Sequence, residues 1–394
     1  MVVFGLIFNF YSETQALEAV DFETIGLLLG MMILVAMLEP TGFFQFLAIW
    51  AGRFSRGKPV LLMVLLGAIT SLLSMFLDNV TTVVLIAPVT VLISEILGIN
   101  AMPLLMAEAL LSNTGGVATL VGDPPNVLIG SAAGLSFNDF LLHSLPVIAI
   151  VWPVALFLLM YLYRQELSIP SLNAAAIQKL DPVQSLEKPA SARRVLFVLA
   201  GALIMFFVQD LLNVSPALIA LGASAAAMVW DRPAINEILR EVEWSVLIFF
   251  AGLFIMVGGL EASGVLHALS LLLSHLNGIP PIWFGVILIW VIAILSAVVD
   301  NVPITIAMIP VIQELGTAGM NVAPLWWALV LGAGLGGNAT IIGSTANIVV
   351  VSLSEKTRNP ITSRIWNKRG LPVALTTCIV ASLVYILAYG WMSY

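Results

Sequence analysis

The chain has 394 residues, 60% of them hydrophobic and only 9% charged, with a mean hydropathy of +1.08 and a formal net charge of −7. Soluble globular chains carry about a quarter charged residues, so this composition excludes a soluble protein and defines a polytopic membrane protein. The single cysteine, Cys378, excludes an intramolecular disulfide and a multi-thiolate metal site.

All 15 Lys and Arg fall in four segments, Arg53 to Lys58, Arg164 to Arg194, Arg232 to Arg240 and Lys356 to Arg369. The positive-inside rule makes these four cytoplasmic. The connections near 12–23, 134–145, 273–282 and 319–323 carry no Lys or Arg and face outward.

Met1 to Phe10 is apolar but supplies about half of the roughly 20 residues a crossing helix needs. It lacks the basic start of a signal peptide and reads as a shortened first helix. The acidic loop Glu13 to Glu23 precedes a span at about 24–39, a short interfacial helix at 41–52 and a basic run ending at Lys58. Two apolar arms, about 60–77 and 80–97, meet at Asp78-Asn79. The basic loops on either side require an even number of crossings here, which fits a full or a re-entrant hairpin; the helix-breaking Asp-Asn pair favours re-entrance. A broken helix at about 103–133 and a span at about 144–163 complete a first unit, 1–163. The linker 164–194 is polar and holds Pro170, Pro182 and Pro189. Spans near 195–212, 216–230 and 244–260 then lead to a second hairpin at about 282–317, a second broken helix at about 324–352 and a last span at about 371–391, making a second unit, 195–394.

The two units are copies. Phe76-Leu77-Asp78-Asn79-Val80-Thr81-Thr82 returns as Val298-Val299-Asp300-Asn301-Val302-Pro303-Ile304-Thr305, and an offset of 222 residues also maps Leu38-Glu39 onto Leu260-Glu261, Gly42 onto Gly264 and Pro88 onto Pro310. A second motif runs from Gly115-Gly116 through Gly122-Asp123-Pro124-Pro125-Asn126, and returns from Gly336-Gly337 through Gly343-Ser344-Thr345-Ala346-Asn347 at an offset of 221. Tracing sides through the spans puts the ends of the first hairpin inside and those of the second outside. The expected fold is therefore an all-α polytopic membrane protein of inverted repeats, each with a re-entrant hairpin and a broken transmembrane helix, as in secondary transporters with a site near the midplane.

Broken helices persist in a bilayer only where they line a cavity, and Gly115-Gly116, Gly122 to Pro125 and Gly332 to Gly343 are strong breakers. Close helix packing by small residues is the alternative reading. Asp78 and Asp300 read either as helix N-caps or as groups that bind a proton or cation, because an acid at membrane depth costs about 2.5–3.5 kcal/mol unless protonated or paired. Asn79, Thr81, Thr82, Asn301 and Thr305 stand beside them; Asn113, Thr119, Asp123, Asn126, Asn338, Thr340, Ser344 and Asn347 belong to the breaks. All are candidate substrate or ion contacts. Asp78, Asp300, Asp123 and Glu108 are the candidates for proton coupling. Glu108 has Leu329 as its repeat counterpart and reads equally as a snorkelling side chain. Glu39 and Glu261 follow spans and read as interfacial caps. His143, His267 and His275 have no ligand spacing, and the ten Trp mostly mark span ends.

These motifs resemble the ion transporter superfamily, within it the branch of arsenite permeases, NhaD-type sodium/proton antiporters and the P protein. The resemblance covers essentially the whole chain and is most specific at Leu77 to Thr82 and Gly122 to Asn126. It implies two hairpins meeting two broken helices, elevator-like alternating access, a scaffold that often dimerises and residence in the cytoplasmic membrane. The partners expected are the lipid bilayer, a small inorganic substrate with a coupling proton or sodium, a second copy and a cytoplasmic ATPase subunit, with no nucleic acid and no cofactor. Dicarboxylate members resemble Ser-Asn-Thr at the tips where this chain has Asp-Asn-Val, which disfavours a dianion; NhaD-like members do not typically carry the diproline Pro124-Pro125. The leading expectation is proton-coupled efflux of arsenite or antimonite, since neutral arsenite can be held by hydroxyl, amide and carboxylate groups. Sodium/proton antiport and anion transport are the alternatives. A channel would share the broken helices, and an intramembrane enzyme would need a nucleophile or metal constellation that the sequence lacks.

Overall fold

The structure is a computed structural model that describes residues 11–264 and 280–393. The expected remnant helix at 1–10, most of the connection 273–282, and His267 and His275 lie outside the described residues.

Every element described is helical, and seven helices among the described residues are long and apolar enough to cross a membrane. The main helices are α1 (Phe22–Leu38), α2 (Phe43–Phe54), α3 (Pro59–Ser74), α4 (Asn79–Leu97), α5 (Met102–Gly116), α6 (Pro124–Ala133), α7 (Phe137–Leu162) and α8 (Pro189–Leu212). They continue with α9 (Pro216–Asp231), α10 (Trp244–Ala262), α11 (Pro281–Val298), α12 (Asn301–Thr317), α13 (Ala323–Gly336), α14 (Thr345–Ser354) and α15 (Ser363–Leu387). Hairpin one is α3–α4 and break one is α5–α6; hairpin two is α11–α12 and break two is α13–α14. The chain is thus an all-α polytopic membrane protein of inverted repeats, each with a re-entrant hairpin and a broken helix.

Local chemistry sets the boundaries. Asp21 caps α1, its Oδ1 accepting from Glu23 N at 3.0 Å and Thr24 N at 3.1 Å. Proline opens α3, α6 and α11, where its missing N–H costs nothing. Gly98 and Gly134 close α4 and α6 in the left-handed conformation. The acidic segment after Ser12 is not a loop: Ser12 and Gln15 form a capping box on a short helix, Glu13–Glu18. Tyr11 Oη donates to Ile255 O at 3.0 Å and ties that segment to α10. Three spans begin earlier than hydropathy places them, α7, α15 and α8, the last starting at Pro189 inside the expected linker. Ser136 and Asp139 cap α7 at its polar outer end, and Thr362 caps α15, whose first turns carry Arg364, Lys368 and Arg369. These polar turns lower the local hydropathy without breaking the helix.

In the first repeat α3 packs chiefly on α5, and in the second α11 packs chiefly on α13. The halves then interlock: α4 lies against α14, and α12 against α6. A second layer of α1, α8, α9 and α10 stands beside this core; α1 packs on α9 and α10 meets α12. The linker 164–194 is a packed strap. Leu172 N donates to Leu97 O at 2.9 Å, Glu187 N to Thr41 O at 3.0 Å and Gln178 Nε2 to Arg53 O at 2.7 Å. Gly42 sits beneath it with φ 79°, and a Cβ there would collide with Ser185 O. The belt reading of tryptophan needs a correction, because Trp326, Trp327 and Trp366 are buried. Trp366 Nε1 donates to Asn338 O at 3.1 Å, and Trp327 stacks on His143 at 4.8 Å.

Candidate functional site

The breaks are built from close backbone approach and side-chain staples, and the same staples occur twice. Ser74 Oγ donates to Ser112 O, and its repeat counterpart Ser296 Oγ to Ala333 O, each at 2.9 Å. Thr119 Oγ1 donates to Met75 O, as Thr340 Oγ1 donates to Ala297 O. Asn126 Nδ2 donates to Gly116 O at 3.0 Å and Thr119 O at 2.8 Å; Asn347 Nδ2 donates to Gly337 O and Thr340 O, both at 2.9 Å. Each staple satisfies carbonyls that the helix break leaves open. Replacing Asn126 or Asn347 by Ala strands two buried carbonyls, a cost of about 1–3 kcal/mol per group. Both variants are expected to lower the melting temperature in detergent, Asn347→Ala by more because its Oδ1 also accepts from Asn113 Nδ2 at 3.0 Å; an unchanged melting temperature in either would show that its staple is dispensable.

At the centre Asn113, 1% exposed, holds three segments together. Its Oδ1 accepts from Asn79 Nδ2 at 2.9 Å and Ser344 Oγ at 3.1 Å, while its Nδ2 donates to Asn338 Oδ1 at 2.9 Å and Asn347 Oδ1 at 3.0 Å. All four hydrogen-bonding positions of the amide are taken. Asn338 Nδ2 returns to Leu110 O at 3.1 Å and Thr114 Oγ1 at 3.2 Å. On the other side Asn301 Nδ2 donates to Asp123 Oδ2 at 3.2 Å, joining hairpin two to break one.

Beside this network lies a cavity of about 250 Å³. The N-termini of α4, α6, α12 and α14 converge on it with Asp78, Asp123, Asp300 and Ser344 as N-cap residues. Each helix end carries about half a unit of positive charge, which partly balances the acids. Leu28 and Met32 of α1 with Val246, Phe249 and Phe250 of α10 form the apolar wall. No Lys, Arg or His lines it among the described residues.

The three aspartates are not equivalent. Asp78 caps α4 through Thr81 N at 2.8 Å and also accepts from Thr81 Oγ1. Asp300 accepts from Val302 N and Thr345 Oγ1, each at 3.2 Å. Asp123 is 1% exposed and does not cap its own helix; only its Oδ2 has a partner among the described residues. Of the residues singled out in the sequence, Asp78, Asn79, Asp123, Asp300, Asn301 and Ser344 meet at the cavity. Thr81, Thr119, Asn126, Thr340, Asn338, Asn347 and Asn113 are engaged in caps, staples and the central network. Thr305 Oγ1 bonds Asn301 O at 2.8 Å. Thr82 is fully buried with no partner for its hydroxyl among the described residues, and Glu108 is buried in the α4–α5 interface.

Sequence reading missed Thr345 and, more importantly, Glu243. Glu243 precedes α10, gives that helix no side-chain cap and lines the cavity. Burial, then the nearby Asp78, pushes its carboxyl up. The signal was present: the residue 222 positions earlier is Asp21, which does cap its helix.

Two re-entrant hairpins set against two broken helices around an acidic central cavity define a secondary transporter. The chain belongs to the citrate transporter family (CitMHS), which matches residues 1–332. It is 39% identical over 393 residues to the 46 kDa membrane protein of Mycobacterium leprae, covering 98% of this chain and 90% of that one. It is 34% identical to an uncharacterized transporter of Synechocystis, covering 92% and 85%. Identity to the P protein of Homo sapiens is 32%, covering 96% of this chain and 55% of the relative. In three dimensions it is similar to the YdaH transporter of Alcanivorax borkumensis, with a TM-score of 0.66 at 16% identity, over 98% of this chain and 89% of that one. That likeness speaks to the fold.

Proposed function

We propose that the chain is a proton-coupled exporter of a small uncharged or cationic inorganic solute, arsenite or antimonite first among them, in the cytoplasmic membrane. The observation that carries this reading is the lining of the cavity: Asp78, Asp123, Glu243 and Asp300, with no basic side chain among the described residues. A trihydroxide such as arsenite donates three O–H groups to such acceptors and needs no counter-charge. Citrate would bring further carboxylates into a site with no Arg or Lys to receive them, and this disfavours it as a free anion. Sodium/proton antiport is the second reading, favoured by the unpaired Asp123 oxygen.

Repeats 1–163 and 195–394, tied by the strap 164–194, supply the hairpins and breaks; α1 and α10 supply the wall against which they slide in an elevator-like cycle. The test is flux in proteoliposomes with arsenite, sodium or citrate, each under an imposed pH gradient. Arsenite accumulation driven by the gradient is expected. Gradient-driven citrate movement with no arsenite or sodium movement would overturn the reading.

A further inference from the structure

The two hairpins share a backbone plan but differ in what lies between hairpin and break. In the first repeat the α4–α5 interface contains Ser94, Thr90, Glu108 and Ser112, all at most 1% exposed. Their counterparts in the second repeat are Gly316, Ile312, Leu329 and Ala333. One half has a buried polar file where the other is apolar.

The file has direction. Thr90 and Ser94 lie one turn apart on α4, and Ser94 opens into a cytoplasmic pocket with Glu95, Asn100 and Arg358. Ser94 Oγ donates to Thr90 O at 2.7 Å, and Thr90 Oγ1 donates to Glu108 Oε1. Glu108 and Ser112 lie one turn apart on α5, with Cβ atoms about 5–6 Å apart. Ser112 Oγ donates to Asn79 O at 3.3 Å, next to the Asp78 cap. The second oxygen of Glu108, Oε2, is buried with no partner among the described residues. An ionised carboxylate with one oxygen unpaired is far more costly to bury than the neutral acid, so this position holds a proton.

No Lys, Arg or His forms an ion pair with Glu108 among the described residues. Of the helices packed on α5, the spans α3, α13 and α14 carry no charged side chain, and α4 has only Asp78 and Glu95 at its ends. α7 brings Asp139 and His143 at its outer end, and α15 brings Arg364, Lys368 and Arg369 at its inner end.

We propose that Glu108 is the proton carrier of the first repeat, held in this one-sided polar interface by Thr90. The inference rests on the reading of the protein as a proton-coupled transporter. Glu108 cycles between carboxyl and carboxylate, giving its one proton to water on one side of the membrane and regaining one from water on the other as the hairpin moves, while Thr90 Oγ1–H donates to Oε1 in both forms. The Ser94 and Ser112 hydroxyls donate to backbone carbonyls and hold the interface without relaying the proton.

The test uses the full chain in vesicles loaded with a pH-sensitive dye, with an arsenite or a sodium gradient as the probe. E108Q keeps the bond to Thr90 but cannot release a proton. It is expected to lower gradient-driven proton flux roughly 100-fold and to flatten its pH profile, while isotope exchange of the same solute continues. The double variant T90I/E108L copies the second repeat and should do the same with repacked side chains. Wild-type proton flux retained by both variants, with exchange intact, overturns Glu108 as the carrier and leaves the transporter reading standing. Absence of proton flux in the wild-type protein under either gradient overturns both.

Discussion

Asp123→Asn is expected to abolish uphill transport while leaving a folded protein. The variant keeps an oxygen for Asn301 Nδ2, now 3.2 Å from Asp123 Oδ2, so the junction between hairpin two and break one survives. What it loses is Asp123 Oδ1, the one aspartate oxygen of the cavity with no hydrogen-bond partner among the described residues. A hydrogen bond to a charged group contributes about 1.5–3 kcal/mol, equivalent to about a 10- to 150-fold loss of solute affinity, and under the proposed mechanism a titrating carboxyl is lost with it. Asp78→Asn and Asp300→Asn also leave binding measurable and impair coupling, but part of their effect falls on helix capping, about 1 kcal/mol. The measurement is equilibrium solute binding beside gradient-driven accumulation for each variant. Wild-type accumulation by Asp123→Asn would move the solute contact to the hairpin aspartates or to Glu243.

Gly122→Ala and Gly343→Ala are expected to remove most folded protein. A Cβ on Gly122 would lie 2.7 Å from Ser74 O, and one on Gly343 would lie 2.9 Å from Ser296 O. In both cases the opposing atom is backbone of the hairpin and cannot rotate away. Overpacking in a tight core costs about 1–3 kcal/mol, and here it falls where hairpin and break must close together. Gly201→Ala and Gly222→Ala are the controls, because nothing lies within 4 Å of either added Cβ; both sit inside helices, where Ala is favoured over Gly by about 1 kcal/mol. Monodispersity after extraction and melting temperature read the difference. Folded yields for Gly122→Ala equal to those of Gly201→Ala would show that the break has room to relax.

Much of this was legible in the chain because membrane insertion leaves few places for polar groups. Asp78-Asn79 and Asp300-Asn301 stand out against apolar arms, and the diproline Pro124-Pro125 fixes a helix start wherever it occurs. Elements with polar ends were harder to delimit: α7 and α15 begin in capped polar turns that hydropathy counts as loop. The division of labour within the site was hidden for a different reason. Asn113 and Asp123 are both polar residues near a break, but one has every hydrogen bond filled by protein and the other has a free oxygen, and only three-dimensional neighbours distinguish them. Glu243 escaped because its neighbours in sequence belong to a charged surface segment, while its neighbours in space belong to the cavity.

The central amide also bears on ancestry. Asn113 corresponds to Gly334 across the duplication, and Gly334 lies directly against Val117. A homodimer of two first halves would set a second asparagine where only a glycine now packs, and a homodimer of two second halves would keep Asn338 and Asn347 but have no counterpart of Asn113 for them to bond. The present halves are therefore complementary rather than interchangeable, and fusion into one chain guarantees that each molecule receives one of each.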